Sequence, residues 1–106
     1  QNAAFGMVGL ETALSIVWRT LVESKLISVG KLEEIMSTNP ARIGKYEEFG
    51  QEIKPGAPAN LLLFESNQSW KVDRDLLASK SSNTPYHGIE MIGAVTATFY
   101  KGKKTL

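Results

Sequence analysis

The spacing of apolar residues changes near residue 45, and this change limits the possible folds more than any other feature. Before it, apolar residues recur at three- and four-residue steps, which predicts an amphipathic helix. This apolar stripe consists of Leu10, Ala13, Leu14, Val17, Trp18, Leu21 and Val22. After residue 45, β-branched runs and turn residues predict strands. Neither part has enough elements to close a sheet or barrel alone, so the sequence predicts a portion of a larger α/β fold.

Two further helical segments are predicted before residue 45. Polar residues between the stripe positions of the first helix are expected to face water. These are Glu11, Ser15, Arg19 and Glu23. Ser28 is expected to cap a second helix that ends at about Ser37. Its inward residues are expected to be Leu32, Ile35 and Met36. A third turn is expected to be capped by Asn39 and to stop at Gly44, with Pro40 at the first helical position.

The second part of the chain is predicted to be strand-rich. Residues 51–54 and 59–64 are expected to form two strands around a tight turn at 55–58. The run Leu61-Leu62-Leu63-Phe64 does not alternate with polar residues, so both faces of that strand are expected to be covered. Residues 70–72 are expected to form a short strand and 73–79 a helical turn. Residues 95–100 are expected to form a strand that turns at Lys101-Gly102 into a hairpin.

Composition excludes several classes of function. The 106 residues carry a formal net charge of +1 with no basic face or stripe, which disfavours nucleic-acid binding. The chain has no cysteine and therefore neither disulfides nor thiolate metal ligands, as expected in a reducing cytoplasm. Its longest apolar runs are far shorter than a membrane span, and no secretory signal is visible.

Candidate reactive groups in the chain are few. His87 is the lone histidine, and zinc sites use three or four ligands, so a surface or hydrogen-bonded role is favoured over metal binding. Asp73 and Asp75 are better explained as acids near a helix start than as a catalytic pair. Arg42 is expected to make a structural contact, and both tryptophans are expected to be packing residues. No catalytic residue and no metal ligand is therefore predicted in this chain.

Four local patterns follow one another along the sequence. They are Ala4-Phe5-Gly6-Met7-Val8-Gly9-Leu10-Glu11-Thr12, Ser37-Thr38-Asn39-Pro40-Ala41-Arg42-Ile43, Ile53-Lys54-Pro55-Gly56-Ala57-Pro58-Ala59-Asn60-Leu61, and a tail of Ser79-Lys80-Ser81-Ser82-Asn83-Thr84-Pro85-Tyr86-His87-Gly88, Ile92-Gly93-Ala94-Val95 and Lys101-Gly102-Lys103. In this order they resemble the carboxy-terminal part of the dihydroorotases, a family of cyclic amidohydrolases. Ala4 stands where the family usually has proline, and Asn60 where it usually has aspartate.

The resemblance implies a fold and an activity for the intact enzyme. Residues 1–45 would be the terminal loop and helices of a (β/α)8 amidohydrolase barrel, and residues 46–106 the carboxy-terminal part of its small β domain. The intact enzyme would use zinc to close carbamoyl aspartate reversibly to dihydroorotate in pyrimidine synthesis. The zinc ligands of the family, histidines, a carboxylated lysine and an aspartate, would all lie upstream. The fragment alone is therefore expected to be inactive.

Phe5 and Gly6 are the positions that the resemblance assigns to substrate binding. A backbone amide there would bond a ring oxygen or carboxylate of the substrate, and a glycine permits that close approach. Without the resemblance, the same residues describe a helix-entry loop in which Phe5 is a hydrophobic staple.

Two other functional readings stay open at the level of sequence. One is an inactive dihydroorotase-like subunit that stabilises aspartate transcarbamoylase, and the other is a related hydantoinase or allantoinase. The expected partners are the remainder of the dihydroorotase chain, the small-molecule substrate, and either further copies of the enzyme or aspartate transcarbamoylase.

Overall fold

Residues 6–106 are described by a computed structural model, in which helical segments precede a small antiparallel sheet. Helix α1 spans Ala13–Val17 and continues as a π-helical segment, Trp18–Glu23. Helix α2 spans Val29–Glu33 and continues as a second π-helical segment, Glu34–Thr38. Helix α3 spans Asn39–Gly44. Strands β1, β2 and β3 span Leu61–Lys71, Glu90–Tyr100 and Lys103–Lys104 and pair in the order β1-β2-β3.

Local capping signals explain where the helices begin and end. Ser28 caps α2 as predicted, because its hydroxyl accepts a hydrogen bond of 3.1 Å from the Lys31 N–H. Helix α3 ends at Gly44 as predicted, although the left-handed residue that follows is Lys45, with φ of 58°. The prediction that Asn39 caps a separate turn is wrong. Asn39 is itself helical, because the chain runs from α2 into α3 without a break and the side chain instead accepts from Arg42.

The sheet is longer and simpler than predicted. The Lys101-Gly102 hairpin is confirmed, with φ of 48° and 81°, the combination that type I′ turns require. Residues 51–54 form no strand, because no described segment pairs with them. The short strand predicted at 70–72 is part of β1 up to Lys71. The helical turn predicted at 73–79 is shorter, a turn at 74–76 closed by a 3.1 Å hydrogen bond from the Leu76 N–H to the Asp73 carbonyl.

Helix α1 rests on β2 through its small polar residues. Ser15 is only 3% exposed and donates a 2.6 Å hydrogen bond to the Gly93 carbonyl, and Thr12 is also buried. The prediction that Ser15 faces water is therefore wrong. A small side chain permits close approach of helix and strand, so this polar face contacts β2, while Trp18 of the apolar stripe packs on Phe64 of β1. The other residues of the stripe are partly buried, except Leu10, which is 90% exposed.

The described core is small. It contains five buried apolar residues, of which Val72 and Met91 are completely inaccessible. Leu32 is buried as predicted, but Ile35 and Met36 are not, so the inward set of α2 was predicted wrongly. The prediction that both faces of residues 61–64 are covered is also wrong for this chain, because Leu62 and Leu63 are about half exposed (49% and 53%). Leu62 and Leu63 are apolar like core residues, but the described chain has no second layer that covers them.

No helix within residues 6–106 is long and apolar enough to cross a membrane.

Candidate functional site

The loop that leads into α1, residues 6–11, carries the described part of the predicted substrate site. Gly6 is exposed and has φ of +75°, a conformation that side chains other than glycine adopt with strain. Apart from Gly6 itself and its chain neighbours, no atom of the described residues lies within 4 Å of the position that a Cβ at Gly6 would occupy. Phe5, the other predicted substrate-binding residue, lies outside the described residues. The backbone at Gly6 therefore has the freedom and the open side that the substrate prediction requires.

Asn83 holds this loop at its first end. Its side-chain amide donates a short hydrogen bond to the Gly6 carbonyl, and its own carbonyl accepts a 2.8 Å hydrogen bond from the Val8 N–H. Residue 83 lies 77 positions from Gly6 in the sequence. One asparagine thus bonds backbone groups on both sides of Met7.

Glu11 holds the other end of the loop. Its carboxylate accepts hydrogen bonds from the Ala78 N–H at 3.1 Å and from the Ser79 N–H at 3.3 Å. Thr12 immediately precedes α1, and its hydroxyl donates to the Gly9 carbonyl at 3.1 Å. The segment 78–83 and the loop 6–11 are therefore tied together at both ends. We call the two bonds from Asn83 and the two bonds to Glu11 the loop latch.

Sequence reasoning missed the latch. The resemblance assigns Asn83 no chemical role, only a place in the loop that would join the barrel and the β domain, and Glu11 is expected to face water. The signal present in the sequence was an asparagine within a run of turn-forming residues, Ser81-Ser82-Asn83-Thr84-Pro85. Such a run predicts a loop but does not identify a contact partner so distant in sequence.

The described residues offer no metal site. No group of three or more histidine, cysteine, aspartate or glutamate side chains comes together within residues 6–106. His87 accepts a 3.2 Å hydrogen bond from the Arg74 N–H through Nδ1, and Asp73 lies 3.9 Å from the same nitrogen. His87 is therefore a partly exposed, hydrogen-bonded histidine, as predicted.

A second junction joins the segment before β1 to the hairpin. The side chain of Asn60 donates to the Glu48 carbonyl at 2.8 Å and accepts from the Lys101 N–H at 2.8 Å. The Glu48 carboxylate lies 3.1 Å from Lys101 Nζ and raises the pKa of that exposed amine. An aspartate at position 60 could accept from Lys101 but could not donate to the Glu48 carbonyl, so the asparagine makes one bond more.

The remaining candidates make structural contacts. Arg42 donates to the Asn39 side chain at 3.0 Å, as the prediction of a structural contact requires. Trp18 packs on Phe64 with ring centroids 5.1 Å apart, and Trp70 Nε1 donates to the Gly93 carbonyl at 3.0 Å. Trp18 Nε1 is buried, with no partner among the described residues. An open groove of about 770 Å³ is lined by residues of the segment 47–61, none of which belongs to the loop.

Comparison with curated proteins relates the whole chain to one kind of enzyme. The chain is 46% identical over 104 residues to a dihydroorotase of Streptomyces coelicolor, which covers 98% of the chain and 24% of that protein. It is 41% identical over 100 residues to a dihydroorotase of Mycobacterium tuberculosis, covering 94% of the chain and 23% of that protein. The chain therefore spans about a quarter of the length of these relatives. No family model matches it.

Solved structures with the same fold come from related enzymes. An L-hydantoinase (dihydropyrimidinase) from Arthrobacter aurescens superposes with a TM-score of 0.84 at 30% identity, over 96% of this chain and 23% of that one. A D-hydantoinase from Bacillus sp. AR9 gives a TM-score of 0.76 at 20% identity, over 88% of this chain and 20% of that one, which is a likeness of fold alone.

Proposed function

We propose that this chain, which is homologous to a segment of the dihydroorotases in the cyclic amidohydrolase superfamily, forms part of an enzyme that reversibly closes carbamoyl aspartate to dihydroorotate. We call the full-length enzyme that would contain these 106 residues the parent protein. Within it, residues 1–45 would be the last loop and helices of a (β/α)8 barrel, and residues 46–106 would complete a small β domain.

The observation that carries the proposal is the match to dihydroorotases along nearly the whole chain. Identity to the Streptomyces coelicolor dihydroorotase is 46%, against 30% for the Arthrobacter aurescens L-hydantoinase. Both comparisons include the loop 6–11 and the segment 78–83, because they cover 98% and 96% of the chain. This difference favours dihydroorotate over a hydantoin as the substrate.

The contribution of this chain to catalysis would be substrate binding by backbone. The substrate carries a carboxylate and ring carbonyl oxygens, which accept hydrogen bonds from N–H groups. At Gly6, with φ of +75° and no described atom within 4 Å of the Cβ position, the backbone can approach such a ring without a side chain between them. The loop would therefore orient the ring, while the bond-making groups come from the rest of the parent protein.

The residues described do not fit a zinc site. His87 is the lone histidine and its Nδ1 accepts a backbone hydrogen bond, and no three potential ligands converge within residues 6–106. We therefore assign no step through zinc to this chain. Zinc, which would polarise the substrate carbonyl, would be held by parts of the parent protein outside it.

The rest of the parent protein would also cover the apolar surface that this chain leaves open. Several apolar residues of the helical part are more than half exposed. They are Leu10 at 90%, Leu26 at 70%, Val29 at 57% and Ile43 at 78%. Exposed apolar surface of this kind often contacts a partner, and the relatives are about four times as long as this chain. The proposed occupant is the remainder of the parent protein, packed on these residues as a barrel wall.

Turnover by the purified parent protein tests the proposal. Dihydroorotate, hydantoin, dihydrouracil and allantoin would be compared as substrates, with carbamoyl aspartate for the reverse direction. We expect the highest kcat/KM for dihydroorotate and measurable ring closure of carbamoyl aspartate.

Two results would change the assignment. Preference for hydantoin or allantoin would replace the proposed reaction while leaving the superfamily in place. A folded parent protein that turns over no cyclic amide but stabilises aspartate transcarbamoylase would identify a scaffold subunit instead.

A further inference from the structure

We propose that Asn83 is a positioning residue for substrate binding, which acts by fixing the orientation of the peptide group between Gly6 and Met7. The inference rests on the proposed function, because it needs the loop 6–11 to contact the substrate. It adds a residue that the resemblance left without a role, and it specifies which backbone group the residue controls.

The geometry of a peptide group carries the first step. A peptide group is planar and trans, so its C=O and N–H point in opposite directions. The Gly6 carbonyl is bonded by the Asn83 side-chain amide, which fixes the plane that this carbonyl shares with the Met7 N–H. The Met7 N–H therefore points away from Asn83, and it is a hydrogen-bond donor of known direction.

The second step is that Asn83 holds the loop at two points. The Val8 N–H is bonded to the Asn83 backbone carbonyl at 2.8 Å, so the groups of residues 6 and 8 that face residue 83 are both occupied. Each of the two peptide groups on either side of Met7 is therefore held by one bond to residue 83, the first through its carbonyl and the second through its N–H. With both bonds in place, the Met7 N–H presents one direction to a carboxylate or carbonyl oxygen of the substrate.

The third step explains why the side-chain bond matters. Gly6 has φ of +75° and is exposed, and glycine has more backbone freedom than any other residue. If the Asn83 side chain were removed, the Val8 bond alone would leave the Gly6–Met7 peptide free to rotate. The Glu11 carboxylate would still hold the far end of the loop through Ala78 and Ser79. The loss would therefore be local disorder of the donor, and not detachment of the loop.

The variant Asn83→Asp in the parent protein separates positioning from folding. It keeps the shape of the side chain and the backbone bond to Val8, but an ionised carboxylate cannot donate to the Gly6 carbonyl. Ser82→Ala is the matched control, since no side-chain hydrogen bond of Ser82 is present among the described residues. Steady-state kinetics, zinc content and exchange of the Val8 amide would be measured on parent and variants.

We expect Asn83→Asp to raise KM for dihydroorotate about three- to tenfold, the change in affinity that corresponds to the loss of one hydrogen bond. Zinc content should be unchanged, and the Val8 amide should exchange at the parent rate, because its bond to the Asn83 backbone carbonyl is kept. Ser82→Ala should match the parent protein in all three. A residue with only a structural role would reduce the amount of active enzyme, and thus the apparent kcat, while leaving KM alone.

Unchanged KM in Asn83→Asp would overturn the inference even if the parent protein is an active dihydroorotase. A Val8 amide that exchanges faster would also overturn it, because the loop would then have detached. If the parent protein prefers another cyclic amide, the proposed reaction fails, and the same KM comparison on that substrate still decides the role of Asn83. A parent protein that binds no cyclic amide overturns both.

Discussion

Replacing Gly93 by alanine tests how tightly helix α1 and the sheet are joined. Gly93 is buried in β2 with φ of +88°, and a Cβ built there would lie 2.3 Å from Cζ of Phe64. No real carbon contact is that short, so the Phe64 ring would have to move. That ring packs against Trp18 of the first helix, with centroids 5.1 Å apart. A methyl group at residue 93 therefore disturbs both layers at once.

The expected loss in free energy of unfolding has two parts that can be measured separately. Placing alanine in the left-handed region costs about 1–2 kcal/mol. Forcing the Phe64 ring aside adds a cost of overpacking of about 1–3 kcal/mol. The sum predicts that Gly93→Ala lowers the free energy of unfolding by about 2–5 kcal/mol. The Gly93 carbonyl also accepts from Ser15 and Trp70, so any backbone shift weakens these bonds as well.

Gly56→Ala is the matched control. Gly56 has φ of +87°, but no described atom lies within 4 Å of its Cβ position. It should therefore show the conformational cost alone, about 1–2 kcal/mol. Urea unfolding of the parent protein and the two variants gives both values. Adding Phe64→Leu to Gly93→Ala should restore part of the lost free energy of unfolding, because leucine is smaller than phenylalanine and has no ring. Equal destabilisation by the two glycine substitutions, with no recovery, would refute the account of this junction.

Three further predictions concern the loop, the Asn60 junction and the isolated chain. Gly6→Val in the parent protein should weaken dihydroorotate binding by about 1–3 kcal/mol at unchanged zinc content, in part because valine strains the backbone at positive φ. An unchanged KM would show that the loop does not contact the substrate. Asn60→Ala should lower the free energy of unfolding by about 1–3 kcal/mol through loss of its bonds to Glu48 and Lys101, and Asn60→Asp by less, as measured by urea unfolding. The isolated 106-residue chain should associate or aggregate at micromolar concentration and hold no stoichiometric zinc, by sedimentation and metal analysis; a monodisperse monomer with protected amides throughout would contradict this.

Features set by neighbouring residues were predictable from the sequence. The Ser28 cap, the end of α3 at Gly44 and the Lys101-Gly102 hairpin depend on groups within about four positions, and all three are confirmed. The resemblance to dihydroorotases is also confirmed, by relatives at 34–46% identity along the chain. It rests on the order of several short patterns along the chain.

Features set by distant partners were not predictable. Ser15 was assigned to solvent because it is polar, yet β2 approaches close enough for its hydroxyl to reach the Gly93 carbonyl. Leu62 and Leu63 were assigned to a core because they are apolar, yet the described chain supplies no second layer over them. Asn83 bonds Gly6 across 77 positions of sequence. Periodicity predicts which residues share one face of an element, but what covers that face depends on tertiary packing.

Exchange of the homologous segment is the most direct test of the central claim, that this chain is a working part of a dihydroorotase. The quarter of the Streptomyces coelicolor dihydroorotase that aligns with this chain would be replaced by residues 1–106, and kcat/KM for dihydroorotate and hydantoin would be measured. We predict a folded chimera that retains zinc and prefers dihydroorotate. A folded, zinc-loaded chimera that has lost dihydroorotate turnover, or that prefers hydantoin, would contradict the account.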